Sequence, residues 1–537
     1  MSIESHKSKD HKPLSTPSKA GGTVSSDLPP LRSFGGSVNG GAEPQNLVNL
    51  HARVSSSQTD GAASADVINS AANVVVNTAE APVDHREIDI PVPGTKAERK
   101  AKKIDQANDL LNNERWLVRN GHAFTYAGLF LFSILVLFRP YELISSLSFL
   151  AATAFYFALA TLAIYIPSQL ATEGNLTMFS TEVKAILALT AISLITMPIA
   201  KNPGTAWDTF NDSFSKSVII FIVMVNVVRT RKRLMGMMWL SLGIGIYLSI
   251  AALQLYASGK FSVEEYRVAV DVGGMFGNPN EMAMHFVMMT PLAVTLGLAS
   301  KSKAMSFVYF SMAGLFVAAN MVTFSRGGFI GLLACSMVLA WKLGRKYRLN
   351  VTIASVLIGG IAMAAAPGNY GLRMLSIFVP GLDAVGSSDQ RKELLERSLL
   401  VTARNPWGIG IGNFPIVGIR NLQSHNAFTQ ISSELGILGL VAYLVFMISP
   451  YRKLSAIERT LFDKDEHSWF YYMAIGLQAS IIGYMVSSFF ASVAYNWFIY
   501  YLIAYAVAFR RIHSAESGAT EETKPGPVWD TAPAAAI

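Results

Sequence analysis

The sequence predicts an all-α membrane protein, a polytopic transmembrane helical bundle of about twelve helices with one large outer loop that contains an amphipathic helix. Three observations predict it. Hydrophobic residues make up 51% of the 537 and charged residues only 15%, which is low for a soluble chain. Between Ala123 and Phe509, apolar stretches alternate with short polar breaks. Their length of about twenty residues is what one helical crossing of a bilayer core takes. Basic residues gather in alternate breaks, the positive-inside pattern.

Taken in order, residues 1–115 form an N-terminal tail. Its first ninety-five or so positions are rich in Ser, Gly, Asn, Ala and Pro, and Phe34 is the only aromatic among the first hundred. Such a segment cannot bury enough apolar surface to offset chain entropy, so it is expected to be disordered. The run KAERKAKK (96–103) suits either nucleic acid or an anionic membrane leaflet. Its place just before the first crossing favours the leaflet, and no nucleic-acid partner is expected. No cleavable signal peptide is expected, because the first apolar stretch begins only near position 120.

The transmembrane domain is expected over 116–511, with crossings near 121–138, 147–166, 182–200, 215–229, 235–256, 282–299, 304–322, 324–341, 349–366, 427–448, 469–490 and 493–509. Lys and Arg set the orientation. Inner loops hold Arg229, Arg231, Lys232, Arg233, Lys301, Lys303, Lys342, Arg345, Lys346, Arg348, Arg452, Lys453, Arg459 and Lys464. Short outer loops hold only Arg139, Lys201, Lys260, Arg267 and Arg326, and the loop at 167–181 has no basic residue. An even number of crossings puts both termini inside, with a disordered cytoplasmic tail at 512–537. The single cysteine, Cys335, excludes a disulfide framework and a cysteine-based metal site.

The outer loop at about 367–425 is too long for a plain connector. Its centre, 387–405, reads as an amphipathic helix with capping-box spacing at Ser387 and Gln390. Leu394, Leu395, Leu399 and Val401 supply the apolar side, and Pro406 stops the helix. It is expected along the membrane surface, over the bundle.

Polar motifs collect on the outer side. In GNPNE (277–281) Asn278 suits an N-cap and Pro279 the first helical position, while Asn280 and Glu281 are candidate substrate contacts, as is Arg267 just before them. In SRGG (325–328) Arg326 stands at the outer end of the eighth crossing, and Gly327 and Gly328 leave room for a close partner or ligand. Arg391 and Arg397 lie on the polar side of the loop helix. In SHN (424–426) His425 can take or give a proton near neutral pH, with Asn426 beside it. Glu434, nine residues on, is either a substrate contact or a structural partner for an arginine or for Gln430. NPWGIGIGN (405–413) lacks GxGxxG spacing and a preceding strand, so it reads as a flexible loop delivering His425, with Trp407 at the interface. Metal-ligand spacing is absent, and no metal is expected.

GMFGNPNEMA (274–283), TFSRGGFIGLL (323–333), RNPWGIGIGNF (404–414) and SHNAFTQISSELGILGL (424–440), in this order over roughly 180–505, resemble the O-antigen ligase and polysaccharide polymerase superfamily of bacterial membrane glycosyltransferases. The resemblance implies a helical bundle with a large periplasmic loop, in the inner membrane. It implies an undecaprenyl-diphosphate-linked glycan donor, a glycan or lipid A–core acceptor, and no metal or other cofactor. Chain-length regulator and flippase proteins are the partners it suggests. In the ligases an arginine of the SRG segment, an arginine of the loop helix and the histidine of the HN motif carry activity. Here those positions match Arg326, Arg391 and His425, which are the expected catalytic residues, with Arg397 the alternative to Arg391. The pattern departs after Arg391, where the ligases tend to show a Trp and Lys392 to Leu395 contain none.

Three functions compete. The first is an enzyme that polymerises lipid-linked repeat units into O-antigen or exopolysaccharide. The second is a ligase that moves finished glycan onto lipid A–core or protein. The long N-terminal tail and the altered loop-helix pattern lean toward the polymerase. The third is a transporter or lipid flippase. That reading requires two related halves and ionisable groups at mid-bilayer, and the sequence shows neither.

Overall fold

In the computed structural model, the residues described are 120–138, 140–143, 145–150, 153–261, 266–270, 272, 276–345 and 387–522, with scattered positions between 349 and 377. The expected tail at 1–115, most of the expected crossing at 349–366, and residues 523–537 lie outside them.

The protein is a polytopic helical bundle. Among the described residues eight helices are long and apolar enough to cross a membrane: α1 (Asn120–Leu137), α4 (Pro203–Val227), α5 (Arg231–Ala257), α6 (Pro279–Ala299), α7 (Lys303–Val322), α8 (Arg326–Leu343), α11 (Gly436–Asp463) and α12 (Trp469–Ser488). Three more helices stand where crossings are expected: α2 (Thr153–Glu173), α3 (Thr181–Thr196) and α13 (Trp497–Glu522). The last runs eleven residues past the expected domain end at 511. Between α8 and α11 lie the loop helix α9 (Ser387–Arg404) and a short α10 (Ala427–Glu434).

Local sequence sets the helix starts. Ser180, Thr230, Ser302 and Ser325 each accept a first-turn N–H as N-caps, and Asn278 with Pro279 opens α6 as its sequence suggests. α6 and α12 are the most enclosed spans, with 83% and 72% of their apolar windows buried, so they form the centre. α7 and α8 pack against that pair, and α3 and α12 pack against α11. Lipid offers no hydrophobic drive for helix association, so close packing of small residues must supply it. Gly331 of α8 shows this: a Cβ there would stand 1.9 Å from Ser487 Oγ of α12.

The helix ends divide into two faces. On one, three carboxylates gather the basic residues. Glu458 is fully buried and pairs with Lys342 at 2.7 Å and Arg345 at 2.8 Å. Glu182 pairs with Lys453 at 3.1 Å and with Arg510. Glu173 pairs with Arg229 at 3.0 Å and with Arg511. The basic breaks expected as plain loops are thus partly ion-paired clamps, and α11 continues through Lys453 to Asp463 instead of stopping near 448. The other face carries all the polar motifs.

Removing one partner of a buried ion pair costs about 3–5 kcal/mol, because the remaining charges stay buried. Glu458→Ala is therefore expected to lower the unfolding midpoint of the detergent-solubilised protein strongly. Leu333→Ala, at a lipid-facing position 51% exposed, is expected to leave it nearly unchanged.

Candidate functional site

The motif face is organised around the eight-residue non-helical stretch 489–496, between α12 and α13. Unpaired backbone groups at membrane depth are costly, so such a stretch survives only where its polar groups are satisfied by protein. The carbonyls of Val493, Ala494 and Tyr495 accept from Tyr484 at 3.2 Å, Tyr500 at 2.8 Å and Ser213 at 3.1 Å. Ala494 N–H donates to Gln430 Oε1 at 3.3 Å.

GNPNE, SRGG and the SHN segment meet this stretch directly. His425 N–H donates to Ser492 Oγ at 2.8 Å. Asn496 Nδ2 donates to Glu281 at 3.2 Å. Tyr495 Oη donates to Glu434 at 2.8 Å. Phe490 lies against Gly327, where an added Cβ would come within 2.9 Å of its own Cβ, and Ser487 Oγ donates to Gly327 O at 3.1 Å. An added Cβ on Gly328 would meet Ala283 and Asn320 at 2.7 Å. The room left by these two glycines is therefore taken by the chain itself, so of the close partner or ligand expected there the occupant is a partner segment.

Two helix starts share one construction. Phe324 and His425 both adopt left-handed backbone, at φ 50° and 52°, and each precedes an N-cap. Ser325 caps α8 by accepting from Gly328 N–H at 3.1 Å. Asn426 caps α10 by accepting from Phe428 and Thr429 N–H at 2.9 and 3.2 Å. Left-handed backbone costs a non-glycine residue of order 1–3 kcal/mol and persists where surroundings over-determine it. The Asn426 Nδ2 group is buried with no hydrogen-bond partner among the described residues.

Arginines surround the first turn. Arg267 is buried, donating from Nε to Thr323 O at 3.0 Å and from Nη2 to Asn280 Oδ1 at 2.8 Å. Asn280 Oδ1 also accepts from Ser325 Oγ at 2.8 Å, so Arg267 and Asn280 lock GNPNE to SRGG. Arg373 donates to Phe324 O at 2.9 Å. Arg326 is 8% exposed and donates to Ser376 Oγ at 2.7 Å, which places part of the long loop over it.

The loop helix α9 buries Leu394, Ser398 and Val401, one helical stripe, against Ile409 and Phe414 and alongside α10. Leu399, expected on the apolar side, is 53% exposed, because five residues after Leu394 it points away from that stripe. The two candidate arginines differ. Arg397 donates to Val417 O at 2.9 Å and so holds its own loop. Arg391 stands close enough to His425 for its charge to act there. Burial first, and then the positive charge of Arg391, push the half-buried His425 imidazole below the usual histidine value, which favours the neutral base.

The apolar run expected as one crossing at 427–448 is broken at Leu435 and Gly436, the latter at φ 75°. The glycine loop 405–413 is pinned into this break, not flexible. Ile409 and Gly410 N–H donate to Ser433 and Glu434 carbonyls at 3.0 and 2.9 Å, and Ile437 N–H donates to Pro406 O at 2.9 Å. Glu434 is fully buried, and its carboxylate accepts from Gly412 N–H at 2.9 Å, Phe414 N–H at 3.3 Å and Tyr495 Oη. Its partners are thus neither an arginine nor Gln430, and it acts as a positioning residue. Trp407 is 68% exposed. Ser492, Tyr495 and Asn496 escaped the sequence reading, which left only 491–492 between two crossings; the polar residues in ASVAYN were the available signal. Among the described residues, no three His, Cys, Asp or Glu side chains gather as for a metal.

Residues 311–444 match the family model described as O-antigen ligase. That segment is similar to the O-antigen ligase family domain. The segment holds SRGG, the loop helix, the glycine loop, SHN and Glu434, but GNPNE and the stretch 489–496 lie outside the matched residues. The motif-borne resemblance to the O-antigen ligase and polymerase superfamily is thereby supported. No curated protein matches the chain.

A glutamine at 434 would set an amide NH2 against a backbone N–H of the glycine loop, so Glu434→Gln is expected to cost about 1–3 kcal/mol. The unfolding midpoint should fall. Protease cutting within 405–413 should rise, and an unchanged cutting rate would contradict the pinning.

Proposed function

We propose that the chain is an integral inner-membrane glycosyltransferase that polymerises undecaprenyl-diphosphate-linked oligosaccharide, as an exopolysaccharide or O-antigen polymerase. The observation that carries this is that His425, through its N–H to Ser492, and the SRGG helix start, through Gly327 packed against Phe490, meet the same eight-residue stretch. Orientation follows from charge. The basic residues cluster on the opposite face, so positive-inside reasoning puts them and both termini in the cytoplasm and puts the motif face in the periplasm.

The lipid tail of the donor lies among the helices and its diphosphate at the motif face. Arg326 and Arg391 hold the phosphates through charge-assisted bonds, and the N-termini of α6, α8 and α10 add positive potential on that face. Arg267, Asn280 and Glu281 shape the wall beneath, and Asn426 Nδ2 is available to a sugar oxygen. An acceptor hydroxyl oxygen attacks the anomeric carbon while its proton passes to neutral His425. The bond between that carbon and the phosphate oxygen breaks, and the electron pair leaves with the diphosphate. Negative charge grows there, against the fixed guanidinium groups, in a partly dry site. No metal is needed in this scheme, and inversion at the anomeric carbon follows from a single displacement.

The description of the matched family favours a second reading, transfer of finished glycan to lipid A–core or protein. Gene deletion separates the two. Single repeat units on the acceptor indicate a lost polymerase, and full-length chains stranded on the lipid carrier indicate a lost ligase. Complementation with His425→Ala should match the deletion at normal protein level; full rescue would remove His425 as the base.

The pH dependence has a definite sign. A base held below the usual histidine value stays neutral to lower pH, so transfer by the wild type should persist below pH ~6.5 before falling. In Arg391→Gln the repulsion is gone, and the acid limb of the remaining activity should move to higher pH. Arg326→Lys keeps the charge and loses the fork, and donor KM should rise roughly tenfold or more. An unchanged KM and kcat would contradict bidentate phosphate holding.

A further inference from the structure

On the basic face, away from the motif residues, a cavity of about 690 Å³ opens among the ends of α5, α6, α7 and α12. Its walls change character within one helical turn. Arg231 gives way to Met235 on α5, Lys301 to Met305 at the start of α7, and Ser468 to Tyr472 on α12. A step of four residues is about 6 Å of helical rise. Each wall is therefore polar at its rim and apolar just inside, as the boundary between lipid headgroup and acyl chain is.

The rim is built for an anion. The Arg231 guanidinium lies over the Trp469 ring at 4.2 Å, a stacking that fixes its plane and directs its N–H edge sideways. Ser468 is the N-cap residue of α12, yet its hydroxyl makes no capping bond. That oxygen is buried and has no hydrogen-bond partner among the described residues. Arg231 and Trp469, the first residues of α5 and α12, line the same space, where the helix dipole favours negative charge. The nearby acidic groups are Asp465, beside His467 at 3.6 Å, and Glu516, near Arg231. Both are exposed, so solvent screens them.

We propose that this cavity binds one anionic phospholipid from the leaflet at the basic face. Its phosphate is held by Arg231, Lys301 and the Ser468 hydroxyl, and its acyl chain lies along Met235 and Met305. This site is separate from the proposed donor site and does not depend on the proposed reaction. The phosphate chemistry would equally suit a soluble phosphate, and the apolar inner walls favour the lipid.

Native mass spectrometry of the full chain released from nanodiscs tests it. Phosphatidylcholine discs containing a minority of phosphatidylglycerol should give protein retaining one phosphatidylglycerol. Discs of phosphatidylcholine alone should give bare protein. Arg231→Gln combined with Lys301→Gln should lower retention roughly tenfold or more, the effect of losing charge-assisted bonds. Met305→Trp fills the cavity without changing charge and should also expel the lipid, with an unfolding midpoint and elution volume like wild type. Equal retention in wild type and both variants would overturn the site. Displacement of the lipid by excess inorganic phosphate would overturn the lipid and assign a soluble anion.

Discussion

The hydrogen bond from His425 N–H to Ser492 Oγ is the contact on which the motif face depends. It fixes a left-handed residue at the start of α10 and attaches that start to a backbone stretch already anchored from within the membrane. The anchoring groups are hydroxyls of Tyr484, Tyr500 and Ser213. A non-helical segment there must have its polar groups satisfied by protein. Once satisfied, it is rigid enough to carry the ends of α6, α8 and α10 in fixed relation. GNPNE, SRGG and the SHN segment become one surface because each meets those eight residues, and the glycine loop joins them through Glu434.

The division of charge follows the same economy. On the opposite face, Glu173, Glu182 and Glu458 each hold two basic side chains. Carboxylates paired with two cations each, Glu182 and Glu458 buried and Glu173 partly exposed, tie helix ends together and leave fewer free charges than a count of Lys and Arg suggests. On the motif face, Glu281 and Glu434 accept from a side-chain amide, backbone N–H groups and a hydroxyl. Arg267 and Arg373 are spent on the carbonyls of the Thr323–Phe324 turn. Arg326 and Arg391 stand beside Ser376 and His425. The difference between arginines that build the turn and arginines near the imidazole is a difference of position, invisible in residue type.

The class of fold was legible because apolar run length is set by bilayer thickness, and the run from Pro279 to Leu343 resolves into α6, α7 and α8 nearly as its composition suggests. The helix start at Asn278 was legible because capping is local chemistry, and the same chemistry at Ser325 was not singled out. The break at Gly436 was not, because Leu435 and Gly436 are as apolar as their neighbours and only the tertiary fit of the glycine loop demands a turn there. The role of Glu434 was hidden for the same reason: its partners, Gly412, Phe414 and Tyr495, come from segments 20 to 61 positions away. Ser492 lay in a two-residue gap between expected crossings and Asn496 inside the second of them, so neither looked like part of a site. Arg391 and Arg397 could not be ranked by spacing, since both lie on the polar side of α9; only the fold brings the charge of Arg391 near enough to act on His425 and ties Arg397 to Val417.

The central claim is that one cleft on the motif face holds a lipid diphosphate between Arg326 and His425. A structure of the full chain in a nanodisc with an unreactive undecaprenyl-diphosphate glycan analogue tests it most directly. The account predicts diphosphate oxygens within hydrogen-bond distance of Arg326 and Arg391, and the anomeric carbon facing the His425 ring. Diphosphate density elsewhere, with Arg326 still closed under Ser376, would contradict it.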